Sequence, residues 1–332
     1  MSEANPNTLE TLAYPWQQAD WQRAGQLLSA GRLPHALLLS GPAGVGKLRF
    51  ARAFASLLLC ESPQQAACGQ CRSCQLLESG SHPDFREISP EEGKRQIAID
   101  QVRTVQQFAA QHAHREGGRK LILLHPAEAM NHFTANALLK TLEEPAGTTV
   151  LLLLSHAPSL LLPTIRSRCL QMSLAAPEPS AARLWLGQQL GDAELANTLL
   201  SQTGGSPLAA RALYETDTWG RWQEFDNGLD SVIEQKMPAL QLAEKQQDVD
   251  AEVVLDWWSN RLMAVNRHLL AAGDLPDGWQ RWQSISPAAV YELLDDVVRT
   301  RSQIRRGVVL NKRLLCESLV LRALDLLQGR RG

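Results

Sequence analysis

Seven consecutive residues, Gly41-Pro42-Ala43-Gly44-Val45-Gly46-Lys47, satisfy the pattern GxxxxGK. Glycines at these positions let backbone N–H groups converge on a phosphate, and the lysine neutralises it. The next residue is Leu48, where Ser or Thr is needed to hold Mg²⁺. The pattern permits phosphate binding through Gly41, Gly44, Gly46 and Lys47 but withholds the metal that hydrolysis requires. Binding of ATP or ADP stays open, whereas turnover is not expected.

A second group follows within a few turns of chain. Cys60, Cys68, Cys71 and Cys74 form C-x7-C-x2-C-x2-C. Four thiolates close a tetrahedral site, and two-residue gaps let neighbouring sulfurs face one ion. The spacing matches neither common ferredoxin pattern, so structural Zn²⁺ is the expected occupant rather than an iron–sulfur cluster. With four protein ligands no coordination position is left for catalysis. Cys316 lies on an apolar helical face and reads as core.

These residues need elements to position them. Apolar runs of strand length occur at His35 to Ser40, Asp84 to Ile88, Leu121 to Leu124, Val150 to Leu154 and Cys169 to Ser173, separated by helical patterns. Continuous rather than alternating apolar runs predict α/β architecture, a parallel sheet covered by helices on both faces. The GxxxxGK run directly follows the first of these strands and opens a helix over Lys47 to Leu59, the context a phosphate loop needs. In ATPases of this kind the third strand ends in an acid for the metal. Here Lys120-Leu121-Ile122-Leu123-Leu124 ends in His125-Pro126. Glu128 is expected to be structural because it is displaced from the strand tip, and His125 to be a satisfied histidine.

After Ser173 the run Leu174-Ala175-Ala176-Pro177-Glu178-Pro179-Ser180 reads as a boundary. Helical patterns follow, with Ala182, Leu186 and Leu190 on one face, a Gly204-Gly205-Ser206-Pro207 turn, and a last helix carrying Leu314, Leu315, Leu319, Leu321, Leu324 and Leu327. Seven of the nine tryptophans lie in this half, where packing is the expected role. Arg299, Arg301, Arg305 and Arg306 form a local basic run, read as a solvated helix face.

With 332 residues, 44% apolar and 20% charged, the chain is long enough for two or three domains and has an ordinary globular composition. A net charge of −2 gives no overall attraction to DNA. Met1 to Asn7 lack the order of a secretory signal, and the apolar stretch Val150 to Ile165 is broken by His156, Pro158 and Pro163, well short of a bilayer span of about 20 residues. A cytoplasmic location is expected, and there clustered cysteines favour metal over disulfide.

Leu33-Pro34-His35-Ala36, the phosphate loop, the four-cysteine insert, the run Ala135-Asn136-Ala137-Leu138-Leu139-Lys140-Thr141-Leu142-Glu143-Glu144-Pro145, and Ser167-Arg168-Cys169 together resemble the clamp-loader branch of the AAA+ ATPases. The resemblance implies an AAA+ domain over 1–175 with a zinc-binding insert at about 60–74, a helical lid over 176–214 and an all-α collar over 215–332. It implies a hetero-oligomeric ring with the motor (gamma/tau) subunits and delta subunit of a bacterial DNA polymerase III, acting on a sliding clamp and primed DNA, with no membrane. Arg168 would be an arginine finger supplied in trans to a motor subunit's ATP site. Leu48, His125-Pro126 and Gly205-Ser206-Pro207-Leu208, where motor subunits carry a sensing arginine, depart from the hydrolysing members and leave only Arg211 nearby. A non-hydrolysing, stator-like subunit is the expected function. The alternatives are a self-sufficient motor ATPase and a zinc-dependent nucleic-acid-binding module.

Overall fold

The structure, a computed structural model, describes residues 12–115, 117–145, 147–271, 275, 279–305 and 308–328. The readings of Met1 to Asn7 and of Arg306 lie outside these residues. The chain divides into two compact units, Met1–Arg211 and Ala212–Gly332.

The first unit is built on strands β1 (Ala36–Ser40), β2 (Phe85–Ile88), β3 (Lys120–Leu124), β4 (Thr149–Ser155) and β5 (Leu170–Ser173). They form one parallel sheet in the order β2-β3-β4-β1-β5, with Leu38 of β1 in register with Leu153 and Gln171. The continuous apolar runs are explained by the two layers they feed. Leu37, Leu39, Leu121, Leu123, Leu152 and Leu154 face helices α1 (Gln18–Ser29) and α2 (Lys47–Leu59), packing on Phe50 and Phe54. Two further helices are α3 (Arg72–Glu78), in the cysteine insert, and α4 (Ile99–Ala110), which lies on the other side of the sheet. On that face Leu38, Ile122, Leu124, Leu151 and Leu153 meet Val102 and Val105 of α4 and Leu138 and Leu142 of α5 (His132–Glu143). Period-two alternation delivers successive residues to opposite faces, so a strand apolar at every position needs a cover on each.

α5 is opened by Asn131, whose side chain accepts from the Thr134 N–H, and it stops before Pro145. A short helix α6 (Pro163–Arg166) precedes β5. Beyond β5, α7 (Pro179–Leu190), α8 (Ala193–Gln202) and α9 (Pro207–Glu215) follow, with Ala182, Leu186, Leu199 and Ala210 buried. Asp192 caps α8 by accepting from the N–H groups of Glu194 and Leu195.

The second unit is all-helical: α10 (Thr218–Ile233), α11 (Ala239–Lys245), α12 (Ala251–Ala271), α13 (Pro287–Arg305) and α14 (Lys312–Leu327). Trp222, Trp257, Trp258, Trp279 and Trp282 are buried in its core, which is the packing role expected of them. The Arg261–Asp226 ion pair, joined by the Trp279 indole N–H, keeps a buried guanidinium paired inside that core. Arg299 pairs with Asp295 and Asp296, and Arg301 with Asp256, as a solvated helix face requires. The last helix differs from its sequence reading. Cys316 and Leu319 are buried, but Leu314 and Leu321 are 61% and 45% exposed. Its leucines therefore serve two faces, only one of which is core.

Candidate functional site

The phosphate loop leaves β1 at its carboxyl end, where ligands of open α/β sheets bind. Lys47 begins α2, and its ammonium donates to the carbonyls of Gly41 (2.7 Å) and Pro42 (2.6 Å). Burial pushes that ammonium down to about 8, against the opposing charge of Glu128. The neighbouring Leu48 packs against the α2 face of the sheet and offers no oxygen to a metal.

All three glycines of the loop are spent on close approach to the protein itself, Gly41 (φ +150°) against the Leu174 carbonyl. A Cβ on Gly44 (φ +75°) would lie 2.5 Å from the Ala209 backbone nitrogen, and the Gly44 carbonyl accepts from the Leu208 N–H at 3.0 Å. A Cβ on Gly46 (φ +93°) would lie 2.4 Å from the Tyr14 ring. The Val45 carbonyl accepts from both the Trp16 indole and the Gln17 amide. Tyr14 and Trp16 stack with centroids 4.6 Å apart, and Trp185 of α7 stands edge-on to both. Arg211 lies 6.0 Å over the Trp185 ring, so the arginine nearest the sensing position faces an aromatic surface. The segment before α1 and the start of α9 thus close on the loop from two sides.

The tip of β3 is His125 rather than an acid, although the charge of Glu128, three residues on, reaches Lys47. His125 there bonds Glu87 of β2 at 2.8 Å, and Glu87 also takes two hydrogen bonds from Arg52. Burial alone would raise the Glu87 carboxyl, but the hydrogen bonds from His125 and Arg52 outweigh it and hold the pKa to about 2. Because the unfolded carboxyl titrates near 4.5, this contribution to stability is complete above pH 4.5 and is lost as pH falls through about 2. Glu87→Gln should flatten the acid limb of a stability–pH curve by on the order of 1–3 kcal/mol. An unchanged acid limb would contradict the assignment. Glu128 accepts from the His156 N–H at 2.8 Å, a structural role, while its second oxygen is buried without a partner.

The four insert cysteines converge. Their sulfurs all lie within 4.8 Å of one another, with Cys60 and Cys71 3.9 Å apart and Cys68 and Cys74 4.0 Å apart. A tetrahedron with 2.3 Å metal–sulfur bonds has edges of about 3.8 Å. Backbone N–H groups of Gln70 and Cys71 point at the Cys68 sulfur and pull its pKa down to about 6. Burial pushes Cys60 and Cys74 the other way. The cluster can hold a metal ion, whose charge would favour the thiolate form of all four.

Arg168 sits between α6 and β5. It donates to the Thr164 carbonyl (3.0 Å) and pairs with Glu143 at the end of α5 (2.5 Å). The ion pair ties the Leu-Glu-Glu-Pro run to the Ser-Arg-Cys run, two motifs whose spatial relation sequence spacing does not disclose.

A family profile described as "DNA polymerase III, delta subunit" matches residues 16–178, the stretch holding the phosphate loop, the four cysteines and Arg168. The DNA polymerase III subunit delta' of Pseudomonas aeruginosa is 40% identical over 319 residues, covering 93% of this chain and 96% of that one. The chain belongs to the DNA polymerase III delta-prime family. Within this family the Escherichia coli subunit delta' is 36% identical, covering 95% of this chain and 96% of its own length. A tau subunit of DNA polymerase III, from Salmonella typhimurium, is 33% identical over 74% of this chain but only 38% of itself. These two delta-prime relatives match over nearly their whole length, whereas the tau relative shares only part of its own. The clamp-loader resemblance of the sequence is thereby narrowed to one subunit type.

Proposed function

We propose that the chain is a non-hydrolysing, stator-like subunit of a DNA polymerase III clamp loader, assembled in a ring with motor (gamma/tau) and delta subunits that places a sliding clamp on primed DNA in the cytoplasm. The observation that carries this reading is the state of the phosphate loop. Its lysine is turned into the loop's own carbonyls, its metal-ligand position is Leu48, and His125-Pro126 replaces the strand-tip acid. Leu208, Ala209 and Tyr14 lie close against the loop, and ATP or ADP binding there stays open with no hydrolysis expected.

Arg168 is the proposed outgoing contribution, a guanidinium offered to the ATP site of the adjacent motor subunit and aimed by Glu143. The cysteine cluster is proposed to hold one Zn²⁺ through Cys60, Cys68, Cys71 and Cys74, supplying cross-linking rather than catalysis. Residues 176–214 are proposed as the lid and 215–332 as the collar. Leu314 and Leu321, seven residues apart on one exposed helical face, support a partner surface there. No helix among the described residues is long and apolar enough to cross a membrane.

Phosphate release by the purified chain with Mg²⁺ and ATP tests the reading. The expected rate is indistinguishable from the buffer blank. Metal-dependent turnover that disappears in Lys47→Ala would instead establish a motor ATPase.

A further inference from the structure

A groove of about 780 Å³ lies at the opposite end of the sheet from the phosphate loop, where α2 ends and where Asp84 and Arg119 lead into β2 and β3. One wall is the cysteine insert, through Cys60, Arg72 and Leu76, and the other is the loop approaching β3. Leu28, Leu57, Leu58, Leu76, Pro63 and Pro83 give it an apolar lining.

Its charges are unequally served. Glu61 accepts from the Ser73 N–H, and Asp84 accepts from the His114 N–H with both oxygens while pairing with Lys120 at 3.4 Å. Arg72, Arg115 and Arg119, which line the same groove, have no hydrogen-bond or ion-pair partner for their guanidinium groups among the described residues. Asp84 is paired, and the three guanidiniums outnumber Glu61, which keeps one oxygen free of the Ser73 bond, so the complement of this surface is anionic.

The groove is not built for covalent chemistry. Ser73 Oγ stands 2.9 Å from His82 Nε2, but His82 Nδ1 accepts the Asp84 N–H. The neutral imidazole therefore carries its proton on Nε2 and donates to the hydroxyl, which in turn donates to the Leu59 carbonyl at 2.7 Å. This chain of bonds is a strut that holds the insert against the start of β2, and it leaves no base facing the serine.

We propose that this groove is a docking site for an acidic peptide segment of a partner protein, whose carboxylates meet Arg72, Arg115 and Arg119 while its aliphatic side chains cover the leucine lining. Nucleic acid is disfavoured as the occupant. The groove presents no Phe, Tyr or Trp face on which bases could stack, and the chain carries a net charge of −2. The proposal gives the cysteine insert a task independent of ATP chemistry: fixing Arg72 opposite Arg119.

Fluorescence anisotropy with the full chain and a labelled short peptide of Asp, Glu and Leu tests it, alongside the Asn, Gln and Leu counterpart and single-stranded oligo-dT. Saturable binding of the acidic peptide is expected, weakening with salt, with no binding of the neutral one. Arg72→Glu/Arg119→Glu should weaken it about tenfold or more. If the double variant loses native circular dichroism, the exposed single change Arg115→Glu supplies the comparison. Failure of the wild-type chain to bind, equal binding by the variants, or tighter arginine-dependent binding of oligo-dT would each overturn the proposal.

Discussion

Arg168→Ala in a reconstituted loader is expected to reduce ATP hydrolysis at the neighbouring motor site by about 10³ to 10⁵, the usual effect of removing an arginine finger supplied in trans. Loss at that one site lowers the total turnover of the ring by less, so single-turnover measurements resolve the effect best. The substitution should leave the fold intact. Its ion pair with Glu143 joins side chains 35% and 48% exposed, and such pairs contribute under about 1 kcal/mol. Arg168→Lys should recover little, because an ammonium lacks the planar fork that spans two phosphate oxygens. Glu143→Ala should give an intermediate loss by leaving Arg168 with only the Thr164 carbonyl to orient it. Full activity with Arg168→Ala would remove the finger assignment.

Stripping metal from the cysteine cluster should have the second large effect, confined to the insert. Apparent binding free energies of structural Zn²⁺ in small peptides reach about 10–16 kcal/mol at neutral pH, and this energy is coupled to folding. The insert's own apolar cluster contains only Cys60, Ala67 and Cys74 at its centre, with Cys68 and Cys71 packed on it. Without the ion only a few hydrogen bonds, such as Ser73 to the Leu59 carbonyl and to His82 and Trp21 to the Gln65 carbonyl, tie that segment down. The sheet, by contrast, keeps two apolar layers that do not depend on the cysteines. Natively purified protein should contain about one zinc per chain. Chelation, or Cys74→Ser, should make the segment between Cys60 and Cys74 sensitive to protease while hydrogen exchange in β1, β3 and β4 stays slow. Metal content near zero, or an insert still protected after chelation, would contradict the zinc site.

All five strands were legible in the sequence, within a residue or two: β1, β3 and β4 because strands buried on both faces are apolar almost throughout, and the edge strands β2 and β5, with Arg86, Glu87 and Gln171, because they are short runs set between helical patterns. The phosphate loop and the cysteine cluster were legible because their chemistry depends on local spacing. What the sequence concealed was nonlocal. His125 had no acid nearby in the chain, and its partner Glu87 arrives from the adjacent strand. Glu143 and Arg168 belong to separate motifs until α5 and the turn before β5 bring them together. The closing of the phosphate loop by Tyr14, Trp16 and Trp185 draws on residues more than 160 positions apart. Periodicity reports that a side chain avoids water but not what it avoids water against. Leu314 and Leu321 show the limit, since they share the spacing of the core leucines yet are exposed in this chain.

The most direct test compares Lys47→Ala and Arg168→Ala side by side in the reconstituted loader, measuring clamp- and DNA-stimulated ATP turnover. If the chain's own phosphate loop is inert and its contribution is exported, Lys47→Ala will hydrolyse ATP at the wild-type rate while Arg168→Ala falls sharply. The reverse pattern, with turnover lost in Lys47→Ala and retained in Arg168→Ala, would contradict the account.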